Sequence, residues 1–242
     1  MRFTDAPATL PEDLRIYAVG DVHGCATRLQ DLHRQIAADL AARPVAQARL
    51  IHLGDYIDRG PDSAAVIALL AAGPDIPGLA IPGLEHISLS GNHEQMMLAA
   101  LATREPEDID LWLLNGGVET LESWGIDPDS QTDSWASHIA TTHLAWMRDL
   151  PLTHQAGGYL FVHAGIRPGM PLATQHRHDL LWIREPFLTS DDDLGSIVVH
   201  GHTPVPAPLV RPNRIDIDTG AYLGGELTCM VLEADRMGFL QA

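Results

Sequence analysis

Basic residues are few in this 242-residue chain, which has 15 lysine and arginine residues, 32 aspartate and glutamate residues and a formal net charge of −17. Proteins that grip nucleic acid need clustered cationic side chains to displace counterions, so the composition argues against a nucleic-acid-binding protein. The same shortage argues against binding to an anionic membrane. We expect the acidity itself to serve solubility.

Cysteines, aromatic residues and long apolar runs are also scarce. The two cysteines, Cys25 and Cys229, do not make the disulfide framework of a small secreted domain. No stretch reaches the length of a membrane span, and residues 1–15 lack the apolar run of a signal peptide, so we expect a cytoplasmic protein. Aromatic residues make up 5% of the chain and apolar residues 45%, so aliphatic side chains must build an ordinary globular core.

The first 103 residues alternate between strand patterns and helix patterns. The predicted strands are residues 15–22, 49–57 and 85–90, and the predicted helices after them are residues 26–42, 62–72 and 93–103. A polar loop separates each strand from its helix. This repeated order predicts βαβ units and a mainly parallel sheet.

The rest of the chain has a different pattern. Residues 105–150 are rich in tryptophan, leucine and acidic side chains, which predicts a helical insertion within a single domain of residues 1–242. Strand patterns return at residues 159–163, 197–200, 214–217 and 227–233. Because these strands are shorter and closer together, we expect a second, more antiparallel sheet.

Five short segments place oxygen or imidazole side chains at the ends of apolar runs. In chain order they are residues 20–24 (GDVHG), 54–60 (GDYIDRG), 91–94 (GNHE), 162–165 (VHAG) and 200–203 (HGHT). Strands fix ligand positions while the loops after them leave a metal open to substrate. One such segment is a weak signal, but five in order predict a phosphoester hydrolase site with two metal ions.

The first two segments supply carboxylates. Asp21 and His23 lie two residues apart, so in an extended segment both side chains point to the same side. Alternatively, Asp21 only caps a strand-to-helix turn. Asp55 can bridge two cations while Asp58 orients an imidazole, although Asp58 could instead form a surface ion pair with Arg59.

The other candidates are an amide and several histidines. Asn92 is a neutral oxygen ligand that could also cap the next helix, and its neighbour His93 suits a general acid beside the metals. A single histidine at the end of an apolar run is more often a hydrogen-bonded core residue, but His163 and His202 together favour metal ligands. We prefer His202 to His200 because a turn between them should point His202 inward.

The donor set restricts the metal. The six predicted ligands are Asp21, His23, Asp55, Asn92, His163 and His202. Oxygen and imidazole donors without a thiolate suit Mn²⁺, Fe or Zn²⁺ rather than copper or an iron–sulfur cluster, and Mn²⁺ is our prediction. Such ligands can hold two divalent ions about 3.5–4 Å apart and generate a bridging hydroxide.

These segments resemble the phosphoprotein phosphatase branch of the calcineurin-like metallophosphoesterases, in particular its small bacterial and phage serine/threonine protein phosphatases. That branch has the order GDxHG, GDxxDRG, GNHE and two separate histidines. The likeness spans residues 15–233 and includes 91–97 (GNHEQMM), 112–117 (WLLNGG), 182–185 (WIRE), 201–204 (GHTP) and 218–221 (DTGA). It implies an α/β fold, an α-β-β-α sandwich of two mixed sheets flanked by helices.

The resemblance also implies a role for each residue of the site. One metal binds Asp21 and His23, the other binds Asn92, His163 and His202, and Asp55 bridges the two. Asp58 orients His93, which protonates the leaving oxygen. Arg59, Arg184 and Asn92 bind the phosphate, although Arg184 could instead be an ordinary surface arginine.

The expected function is phosphomonoester hydrolysis by a serine/threonine protein phosphatase. We expect a monomer that acts on phosphorylated proteins or peptides, and its substrates could also include small phosphoesters. One alternative is a dinucleoside polyphosphate hydrolase of the diadenosine tetraphosphatase type. Those enzymes share the opening motif without complete DRG and GHTP elements, which are intact here. The other alternative is a non-catalytic metal-binding scaffold, which would not need His93.

We expect the insertion at 105–150 to set substrate choice, because it is the largest segment without a ligand.

Overall fold

Two β-sheets pack face to face between outer helices in the computed structural model, which describes residues 1–242. The strands are β1 (Thr4–Asp5), β2 (Leu14–Val19), β3 (Gln47–His52), β4 (Leu84–Ser88), β5 (Thr153–Ala156), β6 (Tyr159–Val162), β7 (Ile197–His200), β8 (Leu209–Val210), β9 (Arg214–Asp216), β10 (Thr228–Glu233) and β11 (Arg236–Gln241). The helices are α1 (Ala26–Ala42), α2 (Ser63–Ala71), α3 (Asn92–Thr103), α4 (Pro106–Trp112), α5 (Val118–Ser123), α6 (Thr132–Trp135), α7 (Thr141–Asp149) and α8 (Arg177–Trp182). The predicted sandwich of two mixed sheets is confirmed.

The first sheet has the strand order β1-β11-β10-β2-β3-β4. Strands β2, β3 and β4 are parallel, with α1 and α2 as their crossover helices, as the sequence pattern predicts. The other three pairings are antiparallel. Strands β10 and β11 form a hairpin, β10 pairs with β2, and β1 pairs with β11 at the edge of the sheet. The expectation of a mainly parallel sheet is therefore wrong, since three of the five pairings are antiparallel.

Strand β10 also corrects the assignment of residues 227–233 to the second sheet. It pairs with β2 in the first sheet, where Val231 lies opposite Tyr17. Five of its six residues are buried, and residues 229–232 form a continuous apolar run. Such a run predicts a buried strand but carries no information about which strand lies beside it.

The second sheet has the strand order β5-β6-β7-β9-β8. Its three middle strands are parallel and its two edge pairings are antiparallel, so it is not the more antiparallel of the two sheets. The chain between β6 and β7 is long enough to cross over and return in the same direction, which a parallel pair requires.

Strand β2 shows how the sequence separates the layers. Ile16 and Ala18 belong to a cluster of 16 buried residues between the sheets, whereas Tyr17 and Val19 belong to a cluster of 33 buried residues on the helix side. Successive side chains of a strand point to opposite faces, so one short strand serves both cores. None of the helices combines the length and the hydrophobicity that crossing a membrane requires.

The helices agree with the sequence predictions within one residue at each end, but the predicted strands extend too far. Strand β2 ends at Val19 and β3 ends at His52, several residues before the predicted ends. Beyond β3, Gly54, Asp55 and Asp58 have φ angles of 108°, 53° and 72°, which an extended strand cannot contain. These bends direct polar side chains toward one edge of the fold.

Candidate active site

The five predicted segments meet at the carboxyl ends of the parallel strands. Strands β2, β3 and β4 end just before the first three segments, and β6 and β7 end at the last two. Parallel strands place their carboxyl ends at one edge of a sheet, and the face-to-face packing brings the edges of both sheets together. All six predicted metal ligands are buried at this edge, each at most 8% exposed: Asp21, His23, Asp55, Asn92, His163 and His202.

Much of the backbone at this edge is in the left-handed region. His23, Asp55, Asp58, Arg59 and His202 have φ angles between 43° and 72°. A residue other than glycine costs on the order of 1–3 kcal/mol in a sparsely populated backbone region, so the surrounding contacts must hold these turns.

Glu94 is one residue that holds a turn, and the sequence predicts no role for it. Its buried carboxylate accepts hydrogen bonds from the backbone N–H groups of Gly91 at 2.9 Å, Asp55 at 3.0 Å and Tyr56 at 2.7 Å. Burial, together with the negative charge of Asp55, raises the pKa of Glu94 to about 7. Glu94 therefore ties the turn at Asp55 to the start of α3. Its place three residues after Gly91 is the capping-box spacing, which the sequence could have indicated.

Asp55 lies between two groups of imidazoles. On one side are His23 and His93, whose Nε2 atoms lie 3.5 Å and 3.8 Å from Asp55 Oδ2. On the other are His163 and His202, and His163 Nε2 lies 3.4 Å from Asp55 Oδ1. Burial opposes ionisation of Asp55, but the surrounding imidazoles lower the pKa of its carboxyl below the usual value. Its two oxygens thus face two separate groups, as a bridging ligand requires.

Asn92 completes the second group. Its side-chain oxygen lies 2.8 Å from His163 Nε2 and 3.0 Å from His202 Nδ1. His163 donates its Nδ1–H to the carbonyl oxygen of Leu53 at 3.1 Å, and His23 donates its Nδ1–H to the carbonyl oxygen of Ile57 at 2.8 Å. A neutral imidazole has one N–H, so these contacts leave both Nε2 atoms as lone-pair donors that face the site.

These donor atoms fit divalent cations. His163 Nε2 and Asn92 Oδ1 are both acceptors, yet they face each other at 2.8 Å, and the Nε2 atom of His202 is buried without a hydrogen-bond partner. Burial lowers the pKa of His23 and of His202 to about 3, so both rings are neutral near pH 7. Buried lone pairs without a donor, such as those of His163 Nε2 and His202 Nε2, are costly unless a cation lies beside them. Imidazole, amide and carboxylate donors suit Mn²⁺, Fe and Zn²⁺.

Asp21 has a different environment from the other predicted ligands. Its carboxylate accepts the backbone N–H of His202 at 3.1 Å, so it ties the first sheet to the turn after β7. Burial and the nearby charges of Asp218 and Asp55 raise the pKa of Asp21. Asp218 has no role in the sequence prediction, although its DTGA segment resembles the family pattern. The concentration of acidic groups here is a second sign that the site is built for cations.

His93 forms a pair with Asp58. His93 donates its Nδ1–H to Asp58 Oδ2 at 2.6 Å, and both side chains are buried. Burial opposes protonation of His93, but the carboxylates of Asp55 and Asp58 outweigh it and raise the pKa of the ring. The remaining nitrogen, Nε2, faces the metal-ligand cluster. The predicted pairing of Asp58 with the candidate proton donor is therefore present in the structure.

The cluster lies at the floor of an open cavity of about 210 Å³. The residues around it are Asp55, Arg59, Asn92, His93, Asn115, Trp182, Arg184, His202, Pro204 and Tyr222. Arg59 donates from Nη1 to His23 Nε2 at 2.9 Å, and its guanidinium carbon lies 4.8 Å from the ring centre of Tyr222. Arg184 is exposed at the mouth. Both predicted phosphate-binding arginines thus line the cavity, together with Asn115 and Tyr222, which the sequence does not single out.

His200 lies apart from this cavity. Its Nδ1 donates to the carbonyl oxygen of Gly201 at 3.1 Å, and its ring packs at 4.9 Å against Phe187. The turn at Gly201 places His202 on the side of His163 and Asn92, with ring centres of the two histidines 5.1 Å apart. This is the arrangement expected from the turn between the two residues.

Comparison with known proteins identifies the family. The family model for calcineurin-like phosphoesterases matches residues 14–236. The chain therefore belongs to this family of metal-dependent hydrolases, and the resemblance inferred from its motifs is confirmed.

The names of the individual relatives indicate two activities, protein phosphatase and bis(5'-nucleosyl)-tetraphosphatase. The serine/threonine-protein phosphatase 1 of Salmonella typhimurium is 30% identical over 220 residues, which cover 88% of this chain and 89% of that protein. The symmetrical bis(5'-nucleosyl)-tetraphosphatase of Methylococcus capsulatus is 32% identical over 155 residues, 64% of this chain and 44% of that protein. The chain thus spans less than half of the second relative. A solved structure described as a proposed diadenosine tetraphosphatase shares the fold, with a TM-score of 0.66, 21% identity and 99% coverage of both chains.

Proposed function

We propose that this chain is a metal-dependent serine/threonine protein phosphatase that hydrolyses phosphomonoesters. The proposal rests on the small number of cationic side chains around the cavity. Arg59 and Arg184 are its only arginines. Two guanidinium groups suit one phosphoryl group. A tetraphosphate brings several more charges to a chain whose net charge is −17. The match to a protein phosphatase over nearly its full length supports the same choice.

Two divalent ions, with Mn²⁺ as the proposed pair, would be held by the six buried donors. Asp21 and His23 would hold the first ion, Asn92, His163 and His202 would hold the second, and Asp55 would serve both. When bound, the ions lower the pKa of a water molecule and polarise the phosphoryl oxygens.

The chain's own side chains would then position the substrate and move one proton. Arg59 and Arg184 bind phosphoryl oxygens from the mouth of the cavity, and Asn92 contacts the phosphate from the floor. His93 Nε2 donates a proton to the serine or threonine oxygen as the bond from that oxygen to phosphorus breaks and a water oxygen bonds to phosphorus in its place. Asp58, hydrogen-bonded to His93 Nδ1 at 2.6 Å, fixes the ring orientation and stabilises its protonated form.

A second recess of about 360 Å³ beside the cavity supports a peptide substrate. Trp182 lines both spaces. Met96, Leu111 and Trp182 make the recess largely apolar, and Asp108 is its only carboxylate. An apolar side chain next to the phosphorylated residue would fit there, whereas a chain of phosphates would meet no guanidinium group. Leu111 and Asp108 come from α4, which supports the prediction that residues 105–150 influence substrate choice.

The alternative substrate is a dinucleoside polyphosphate, and one contact favours it. The rings of His178 and Trp182 are nearly parallel, with an angle of 19° and centres 6.4 Å apart. Such a surface is suited to stacking of a nucleobase. The tetraphosphatase relatives point the same way, although the match to the Methylococcus capsulatus protein covers only 64% of this chain.

The deciding experiment compares kcat/KM for a phosphothreonine peptide with apolar flanking residues and for diadenosine tetraphosphate, both with Mn²⁺. We expect the peptide to be preferred and Leu111→Asp to lower its kcat/KM by about tenfold or more, since burial of a leucine side chain contributes roughly 1.5–3 kcal/mol. Hydrolysis of p-nitrophenyl phosphate should change little. Leu209→Asp, at an exposed site on β8, is the matched control. A preference for the tetraphosphate, unaffected by Leu111→Asp, would contradict the proposal.

A further inference from the structure

The segment 105–150 makes direct hydrogen bonds to the carboxylate that orients the proton donor. Trp112 donates its indole N–H to Asp58 Oδ1 at 3.0 Å, and the hydroxyl of Thr120 donates to the same oxygen at 2.6 Å. The other oxygen, Asp58 Oδ2, accepts the bond from His93 at 2.6 Å. All three partners are buried, at most 1% exposed. One oxygen of Asp58 thus binds the insertion and the other binds the proton donor.

Thr120 also fixes the backbone of Asp58. Its hydroxyl oxygen accepts the Asp58 N–H at 2.8 Å while its hydrogen goes to Asp58 Oδ1. A single hydroxyl group therefore closes a ring with the main chain and the side chain of one residue. Because Asp58 has a left-handed φ of 72°, this ring opposes relaxation of the turn to an ordinary backbone conformation.

The next residue of the turn, Arg59, is held by the same insertion. A kinked turn at residues 113–117 follows α4, and within it the carbonyl oxygen of Gly116 accepts the Arg59 N–H at 3.2 Å. Gly116 has a φ of 102°, and a Cβ atom there would lie 2.6 Å from Arg59 N. Only glycine fits this contact.

We propose that Trp112 and Thr120 are positioning residues for proton transfer, an inference that rests on the proposed phosphomonoesterase function. Their two hydrogen bonds prevent rotation of the Asp58 carboxylate, so that Oδ2 stays directed at His93 Nδ1 and His93 Nε2 stays directed at the leaving oxygen. Because both side chains are buried, a fixed charge-assisted pair of this kind retains its geometry through the reaction. The insertion therefore contributes to the chemical step as well as to the rim of the cavity.

The test uses Thr120→Val and Thr120→Ser in the full chain loaded with Mn²⁺. Valine has nearly the shape of threonine without the hydroxyl, and serine keeps the hydroxyl. Two aryl esters are compared. The leaving group of phenyl phosphate needs a proton, whereas the leaving group of p-nitrophenyl phosphate needs little protonation. We expect Thr120→Val to lower kcat on phenyl phosphate by about tenfold or more, a fraction of what a general acid contributes. The loss on p-nitrophenyl phosphate should be several times smaller, with KM and metal content unchanged. Thr120→Ser should restore most of kcat.

A second pair of variants tests the indole. Trp112→Phe should show the same dependence on the leaving group. Trp135→Phe is its matched control, because Trp135 packs against Trp112 with ring centres 6.1 Å apart but donates its N–H to Ser130. It should lower thermal stability without any dependence on the leaving group. The double variant with Asp58→Asn and Thr120→Val should have nearly the same kcat as Asp58→Asn alone, since the two residues act through one contact.

Three results would overturn this inference. They are equal losses on both esters, a loss that serine does not restore, and a loss of bound metal in Thr120→Val. The proposed function is tested separately, on phosphopeptides. If the variants give one of these results and the wild type still hydrolyses phosphopeptides, the positioning role is wrong and the proposed function stands. A wild type that hydrolyses neither ester would contradict the proposed function and this inference together.

Discussion

Replacement of His93 by asparagine should lower kcat by about 10²–10⁴-fold, the range that a general acid contributes, while both metal ions remain bound. The reason is the pairing of His93 Nδ1 with Asp58 Oδ2 at 2.6 Å, which leaves Nε2 to protonate the leaving oxygen. The loss should shrink on p-nitrophenyl phosphate, because its leaving group needs little protonation.

The rival role for His93 is that of a metal ligand. Its Nε2 lies 3.8 Å from Asp55 Oδ2, and His23, Asp55 and His93 together are close enough to hold an ion. Elemental analysis of the purified His93→Asn variant separates the two roles. Two ions per chain with low kcat are expected, and one ion per chain would make His93 a ligand. His138→Asn, at an exposed position, is the matched control and should equal the wild type in both measurements.

Replacement of His202 by asparagine should remove one of the two metal ions and lower kcat/KM by more than about 100-fold. The structure places His202 Nδ1 3.0 Å from Asn92 Oδ1 and its ring beside His163. Loss of a residue that only supports a ligand typically costs about 10–100-fold in metal affinity or activity. Loss of a ligand itself should exceed that range.

His200→Asn is the matched comparison, two residues away in the same segment. His200 packs against Phe187 and faces away from Asn92, so this variant should keep two ions and lose thermal stability instead. Metal content and melting temperature are measured on both variants. Loss of an ion from His200→Asn, with two ions retained in His202→Asn, would reverse the ligand assignment.

The positions of the candidate ligands could be predicted from the sequence because they depend on local order. Each segment follows an apolar run, and parallel strands bring their carboxyl ends together wherever the sheet forms. The same local reasoning placed α1 at its observed bounds, since its apolar face repeats at the helical period. The turn at Gly201 likewise distinguished His202 from His200.

What the sequence did not predict depends on contacts between distant parts of the chain. Strand β10 is buried on both faces, and it pairs with β11 on one side and with β2, more than 200 residues earlier in the chain, on the other. Trp112 and Thr120 lie 54 and 62 residues from Asp58 along the chain. A tryptophan in a helical segment indicates a core position, as observed, but not the partner of its N–H. Local patterns also extended β3 too far, because nothing in an apolar run marks the residue at which φ becomes positive.

We propose that five separate segments form one site for two divalent ions around Asp55. Anomalous diffraction from crystals of the full chain grown with Mn²⁺, recorded at the manganese absorption edge, tests it most directly. We expect two anomalous peaks, one beside His23 and Asp21 and one beside Asn92, His163 and His202, with Asp55 between them. A single peak, or a peak coordinated by His200 with His202 turned away, would contradict it.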